Sequence, residues 1–174
     1  MTPKMIARVV GILFLLGDIA GILSVVVTSP SLGAFSQHDP SYLVKVSAQE
    51  NLVILGALLL VTMAVTLALI PIVMYPLSKK FNETLALGYV VFRGALETII
   101  TIAMAISWPL LIIVGREYAA AGVSGASSVQ TMGTIVFGAH DRLNAMLEVV
   151  FPLGALMFYA VLYRSQLIPL WLSG

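Results

Sequence analysis

The sequence predicts an all-α integral membrane helical bundle: four spanning helices in a single membrane domain over residues 1–174, with the N-terminus and C-terminus inside. Three observations carry this expectation. Of 174 residues, 60% are hydrophobic and 10% charged, against about 45–50% apolar and about 25% charged in soluble domains. Mean hydropathy is +1.04, and four stretches reach the roughly 20 apolar residues that a spanning helix needs. A soluble core of this size would still leave much of its surface in water, and 9 basic plus 8 acidic side chains cannot cover it. Lipid must therefore do part of the solvating.

The first span covers about 6–28. Lys4 and Arg8 precede its apolar run as they would in a secretory signal, but Asp18 interrupts the run and its length exceeds a signal's apolar core, so it reads as an uncleaved span. Gly17 and Gly21 form a small-xxx-small step, continued on the same face by Ser24 and Thr28, which lets another backbone approach closely. Helix packing there is either internal or with a second chain. An outer loop over 29–50 comes next, carrying Pro30, Gly33, His38 and Pro40. The second span covers about 51–76 and the third 86–114; the latter is long for a hydrocarbon layer of about 30 Å and must tilt or protrude. A second outer loop over 115–128 contains Gly122 and Gly125. The stretch 129–164 reads either as one long helix or, as the charged triplet His140, Asp141, Arg142 favours, as an interfacial helix over 129–139 followed by the fourth span at 143–163. Pro71, Pro76, Pro109 and Pro152 read as kinks or helix ends.

Orientation is read from Lys and Arg in the short loops. With the N-terminus inside, Lys4, Arg8, Lys79, Lys80 and Arg164 lie inside and Lys45, Arg116 and Arg142 outside, five against three. No charge block marks a nucleic-acid partner. With Cys 0, disulfides, thiolate metal sites and Cys nucleophiles are excluded. The paired Glu-x-x-His step of di-metal bundles is absent, and His38 in the outer loop leaves only His140 as an axial haem ligand. No cofactor, metal or catalytic set is expected.

The informative residues are those that oil should exclude: Asp18, Arg93, Glu97, Asn144 and Glu148, with His140 at the rim. A charge at mid-membrane costs about 2.5–3.5 kcal/mol on insertion scales, so each needs a partner, a cavity or a function. Arg93 and Glu97 stand four apart and can pair within one helix. His140, Asn144 and Glu148 stand at i, i+4 and i+8 on one face, and Pro152 frees the carbonyl of Glu148. These six residues are the candidate intramembrane binding set, provided they face the bundle interior; the alternative is that they serve helix packing.

The stretch Tyr75-Pro76-Leu77-Ser78-Lys79-Lys80-Phe81-Asn82-Glu83, with Leu85-Ala86-Leu87-Gly88-Tyr89-Val90-Val91-Phe92-Arg93 and Glu97 after it, resembles the signature of a bacterial membrane family known as domain of unknown function 4386. Arg8, Gly11 and Gly21 at the start, and Leu162-Tyr163-Arg164-Ser165-Gln166-Leu167-Ile168-Pro169 with Trp171-Leu172-Ser173 at the end, resemble its other blocks. The resemblance implies a multi-pass protein of the cytoplasmic (inner) membrane and brings no activity with it. It also implies further spans beyond the Trp-Leu-Ser block, so that this chain is a short variant or a truncated one.

Two functional expectations result. The first is a protein that binds or translocates a small molecule or ion through an intramembrane polar site. The second is a structural or accessory membrane subunit that meets a second copy or a membrane partner and uses its charges for packing. An intramembrane enzyme has the least support, and the lipid bilayer is a partner under every reading.

Overall fold

The computed structural model describes residues 2–32 and 41–165, and among them every regular element is helical. The elements are α1 (Pro3–Leu32), α2 (Ser41–Ala48), α3 (Glu50–Ser78), α4 (Glu83–Tyr89), a π-helical segment (Val90–Leu96), α5 (Glu97–Ala120) and α6 (Gly122–Ser165). His38 and the closing Trp171-Leu172-Ser173 block lie outside the described residues. Four helical stretches are long and apolar enough to cross a membrane: Pro3–Leu32, Glu50–Ser78, Glu83–Ala120 and Ala126–Tyr163. This is an all-helical, multi-pass membrane protein.

Helix limits differ from the sequence reading where prolines and glycines suggest breaks. α1 passes through Pro30. That proline has no N–H to give the carbonyl of Val26, and the Ser29 hydroxyl donates to this carbonyl instead, at 2.9 Å, so the helix continues to Leu32. The expected outer loop over 29–50 contains α2, whose Tyr42, Leu43 and Val46 are buried. The second expected loop, 115–128, is nearly all helix: α5 runs to Ala120 and α6 starts at Gly122. Gly115 is a packing residue, since a Cβ there would come 2.5 Å from the carbonyl oxygen of Leu43. Its neighbour Arg116 donates from Nε to Glu50 Oε2 at 3.0 Å. Nor does α6 break at the His140 triplet, so 129–139 and 143–163 belong to one continuous helix.

The Pro76–Glu83 stretch turns the chain from α3 into α4. Ser78 closes α3, its carbonyl accepting from Phe81 and Asn82. Asn82, in extended conformation, then caps α4 by accepting from the Leu85 N–H at 2.9 Å, with Glu83 in the first turn, where a negative charge is favoured.

The chain divides into two compact units, each taking a segment of every long helix. One comprises the chain to Asp18, Met63–Ile100 and the chain from Ala145. Its core is Ile6, Val10, Leu67, Ile70, Met74 and Tyr89, flanked by Phe14, Met157 and Phe158. The other comprises Ile19–Thr62 and Thr101–Asn144, with a core that includes Leu43, Val46, Val53, Trp108, Leu111 and Ile112. Outward faces are apolar as well: Leu15, Ile22 and Val25 of α1 and Ile99 and Ile113 of α5 are exposed, as a lipid-facing surface requires.

Gly17 settles within the first unit. A Cβ on it would stand 3.0 Å from Leu67 Cδ2 and Thr66 Oγ1, so α3 occupies that face of α1. Further along, Ser24 is buried and donates to the Gly56 carbonyl at 2.9 Å, while Thr28 donates to the Ser24 carbonyl at 2.8 Å. Gly21 between them is half-buried.

Candidate functional site

Arg93 and Glu97 form the one cluster of the candidate set that the fold joins directly. Arg93 Nη1 donates to Glu97 Oε2 at 3.0 Å, and their side chains are 9% and 8% exposed. The segment carrying Arg93 is π-helical: the N–H of Glu97 bonds to the carbonyl of Phe92, five residues back. Such segments are rare and gather at functional sites. Reading Arg93 and Glu97 as an α-helical pair captures the partnership and misses this widened turn. Gly94 lets the segment pass Pro71 of α3, whose Cγ would lie 3.2 Å from a Cβ there.

Arg93 has three kinds of neighbour. Besides Glu97, it sits over the ring of Phe151 at 4.7 Å from the centroid, a cation–π distance. Gly154 of α6 lies against its backbone: a Cβ there would be 3.3 Å from both Arg93 N and Arg93 Cβ. On its remaining side Arg93 borders a cavity of about 100 Å³, lined also by Phe14, Tyr89, Phe151, Phe158 and Tyr159. Tyr89 and Phe158 stack at 4.9 Å with an interplanar angle of 17°. The site is thus an arginine neutralised by its helical neighbour and opening on aromatic walls.

His140 lies in the other unit. Its Nδ1 is 2.8 Å from Ser107 Oγ, and its ring stacks on Trp108 at 5.8 Å. The sequence reading does not single out Ser107; it is a polar residue in the apolar run of α5, next to a tryptophan, and that juxtaposition is the available signal.

The remaining candidates do not face inward. Asp18, Asn144 and Glu148 are all exposed, which corrects the expectation of charges converging on the interior. The reason is helical phase. At 3.6 residues per turn each step of four advances about 40°, so from His140 to Glu148 the stripe drifts about 80°. α6 is also the least covered of the long helices, leaving a half-buried start and an exposed end.

Among the described residues no three His, Asp or Glu side chains come together to hold a metal. Comparison with curated proteins and with solved structures finds no match. A family model described as a domain of unknown function, DUF4386, matches residues 9–174. Essentially the whole chain is covered, including the turn after α3 and the Arg93–Glu97 segment, and the protein belongs to that family.

Proposed function

We propose that this protein binds a small molecule within the membrane, at the cavity beside Arg93. The observation that carries the reading is that Arg93, half of a charge pair whose side chains are each under a tenth exposed, borders an aromatic cavity instead of being sealed by packing. Burying both charges is costly, and apolar residues of the same volume would serve stability at least as well. Guanidinium N–H groups can donate to an acceptor on the ligand, while Phe14, Phe151 and Phe158 receive an apolar or aromatic body. The cavity is smaller than the roughly 300 Å³ lower bound of drug-sized sites, so it suits a compact head group. Binding, without translocation, is the step this geometry supports. The host membrane is the cytoplasmic one, with both chain ends on its inner side, as the lysine and arginine distribution favours.

A ligand-dependent thermal-shift screen on purified protein tests this, with benzoate, 4-hydroxybenzoate and benzyl alcohol as probes. A saturable upward shift that disappears in Arg93→Gln/Glu97→Gln supports the reading. Shifts absent throughout, or equal in the double variant, would leave the alternative of a structural subunit. One observation favours that alternative, the close seating of Gly154 on Arg93, which a packing role alone would explain.

A further inference from the structure

A second cavity, of about 230 Å³, lies wholly within the unit formed by Ile19–Thr62 and Thr101–Asn144. Its lining includes Thr28 and Ser29 of α1, Trp108 of α5, and Phe137, His140 and Asp141 of α6. The hydrogen bonds around it fix which polar atoms can accept. Thr28 spends its hydroxyl proton on the Ser24 carbonyl at 2.8 Å, and Ser29 spends its own on the Val26 carbonyl at 2.9 Å. Ser107 donates to the Met104 carbonyl at 2.6 Å. With its proton on Met104, Ser107 can accept at its 2.8 Å contact with His140 when Nδ1 carries the ring hydrogen, the tautomer in which Nε2 of a neutral imidazole is an acceptor. The Asp141 carboxylate only accepts.

The lining therefore joins hydroxyl lone pairs, an imidazole lone pair, a carboxylate and the rings of Trp108 and Phe137, whose faces are electron-rich. A ligand complementary to this set carries positive charge and several N–H donors. A quaternary ammonium would satisfy the rings and the carboxylate but leave the acceptors without hydrogens. An anion would be repelled by Asp141.

We infer that this cavity is a binding site for a primary ammonium group. Two sources carry that chemistry, a small free amine and the head group of an ethanolamine lipid. The lining includes Thr28, Ser29 and Leu32, in the last turns of α1, so the site lies toward a helix end, where either source can reach it. This site shares no lining residue with the cavity beside Arg93 and stands or falls independently of it.

The test uses the full chain with Trp171→Phe, so that Trp108 is the sole indole of the two, in phosphatidylcholine nanodiscs. n-Butylammonium should change Trp108 fluorescence saturably, whereas 1-butanol and butyrate, its neutral and anionic counterparts, should not. In nanodiscs mixing phosphatidylethanolamine with phosphatidylcholine, native mass spectrometry should find an ethanolamine lipid selectively retained if the source is lipid. A response to n-butylammonium assigns a free amine, and retention without that response assigns the lipid. Asp141→Asn, at an exposed position, should weaken either effect at least tenfold with an unchanged helical circular dichroism spectrum. His140→Phe keeps an aromatic ring on Trp108, removes the acceptor and should weaken them too. The proposal is overturned if neither amine nor lipid is selected, if 1-butanol matches the amine, or if Asp141→Asn binds as the parent does.

Discussion

Arg93 is held by a carboxylate, an aromatic face and a glycine at once, so the consequence of removing it depends on what is left behind. Arg93→Leu strands the Glu97 carboxylate away from water and should cost about 3–5 kcal/mol. Adding Glu97→Gln should recover most of that, and a double-mutant cycle by thermal denaturation in detergent measures the coupling; a coupling near zero would mean that the 3.0 Å contact carries no energy. Tyr42 offers a pH-dependent counterpart outside the spans. Burial pushes its hydroxyl above the ordinary 10.0, a hydrogen bond with Thr134 pulling less strongly the other way. A folded value above the unfolded one means that the contribution is complete below about pH 10 and is lost as pH rises through the folded value. Melting curves between pH 9 and 12 should fall more steeply for the parent than for Tyr42→Phe. At this scale the Arg93–Glu97 partnership was legible, because i, i+4 neighbours meet on any helix. The outward aim of Asp18, Asn144 and Glu148 was not, because periodicity shows which residues share a face and not what that face meets.

Along α6, one substitution should act with opposite signs at two glycines. A Cβ on Gly138 meets nothing within 4 Å, whereas one on Gly133 would stand 2.6 Å from the Tyr42 hydroxyl and 2.9 Å from Leu43 Cδ2. Gly138→Ala should therefore stabilise by up to about 1 kcal/mol, the helix-propensity difference. Gly133→Ala should destabilise by about 1–3 kcal/mol through overpacking. Thermal melts of the two variants decide it, and equal shifts would contradict the packing of α2 on α6. The existence of the four long helices could be read from apolar run length alone. Their ends could not, for a physical reason visible at Pro30 and Gly115: a side-chain hydroxyl replaced the missing donor in one case, and a close backbone approach used the glycine in the other. Neither compensation leaves a mark in local composition.

For the whole molecule, sidedness has a direct measurement, since the sequence contains Cys 0. Glu83→Cys, in the turn after α3, and Glu117→Cys, near the end of α5, should lie on opposite sides of the membrane. An impermeant thiol reagent applied to intact cells should modify Glu117→Cys and spare Glu83→Cys; the reverse pattern would invert the proposed orientation. The widened turn at Val90–Leu96 has a different consequence, expressed in insertions and deletions. A π turn accommodates one residue more than an α turn while the helix on either side keeps its course. Exposed Ala95 lies between Arg93 and Glu97, so deleting it would restore α geometry, leave the rest of the Glu83–Ala120 stretch in register, and bring the pair from four residues apart to three. A chain one residue shorter at this point would keep its bundle and re-aim its buried charges from the π spacing to an α-helical i, i+3 pair, so the fold and the geometry of the site can be separated by the length of a single peptide unit.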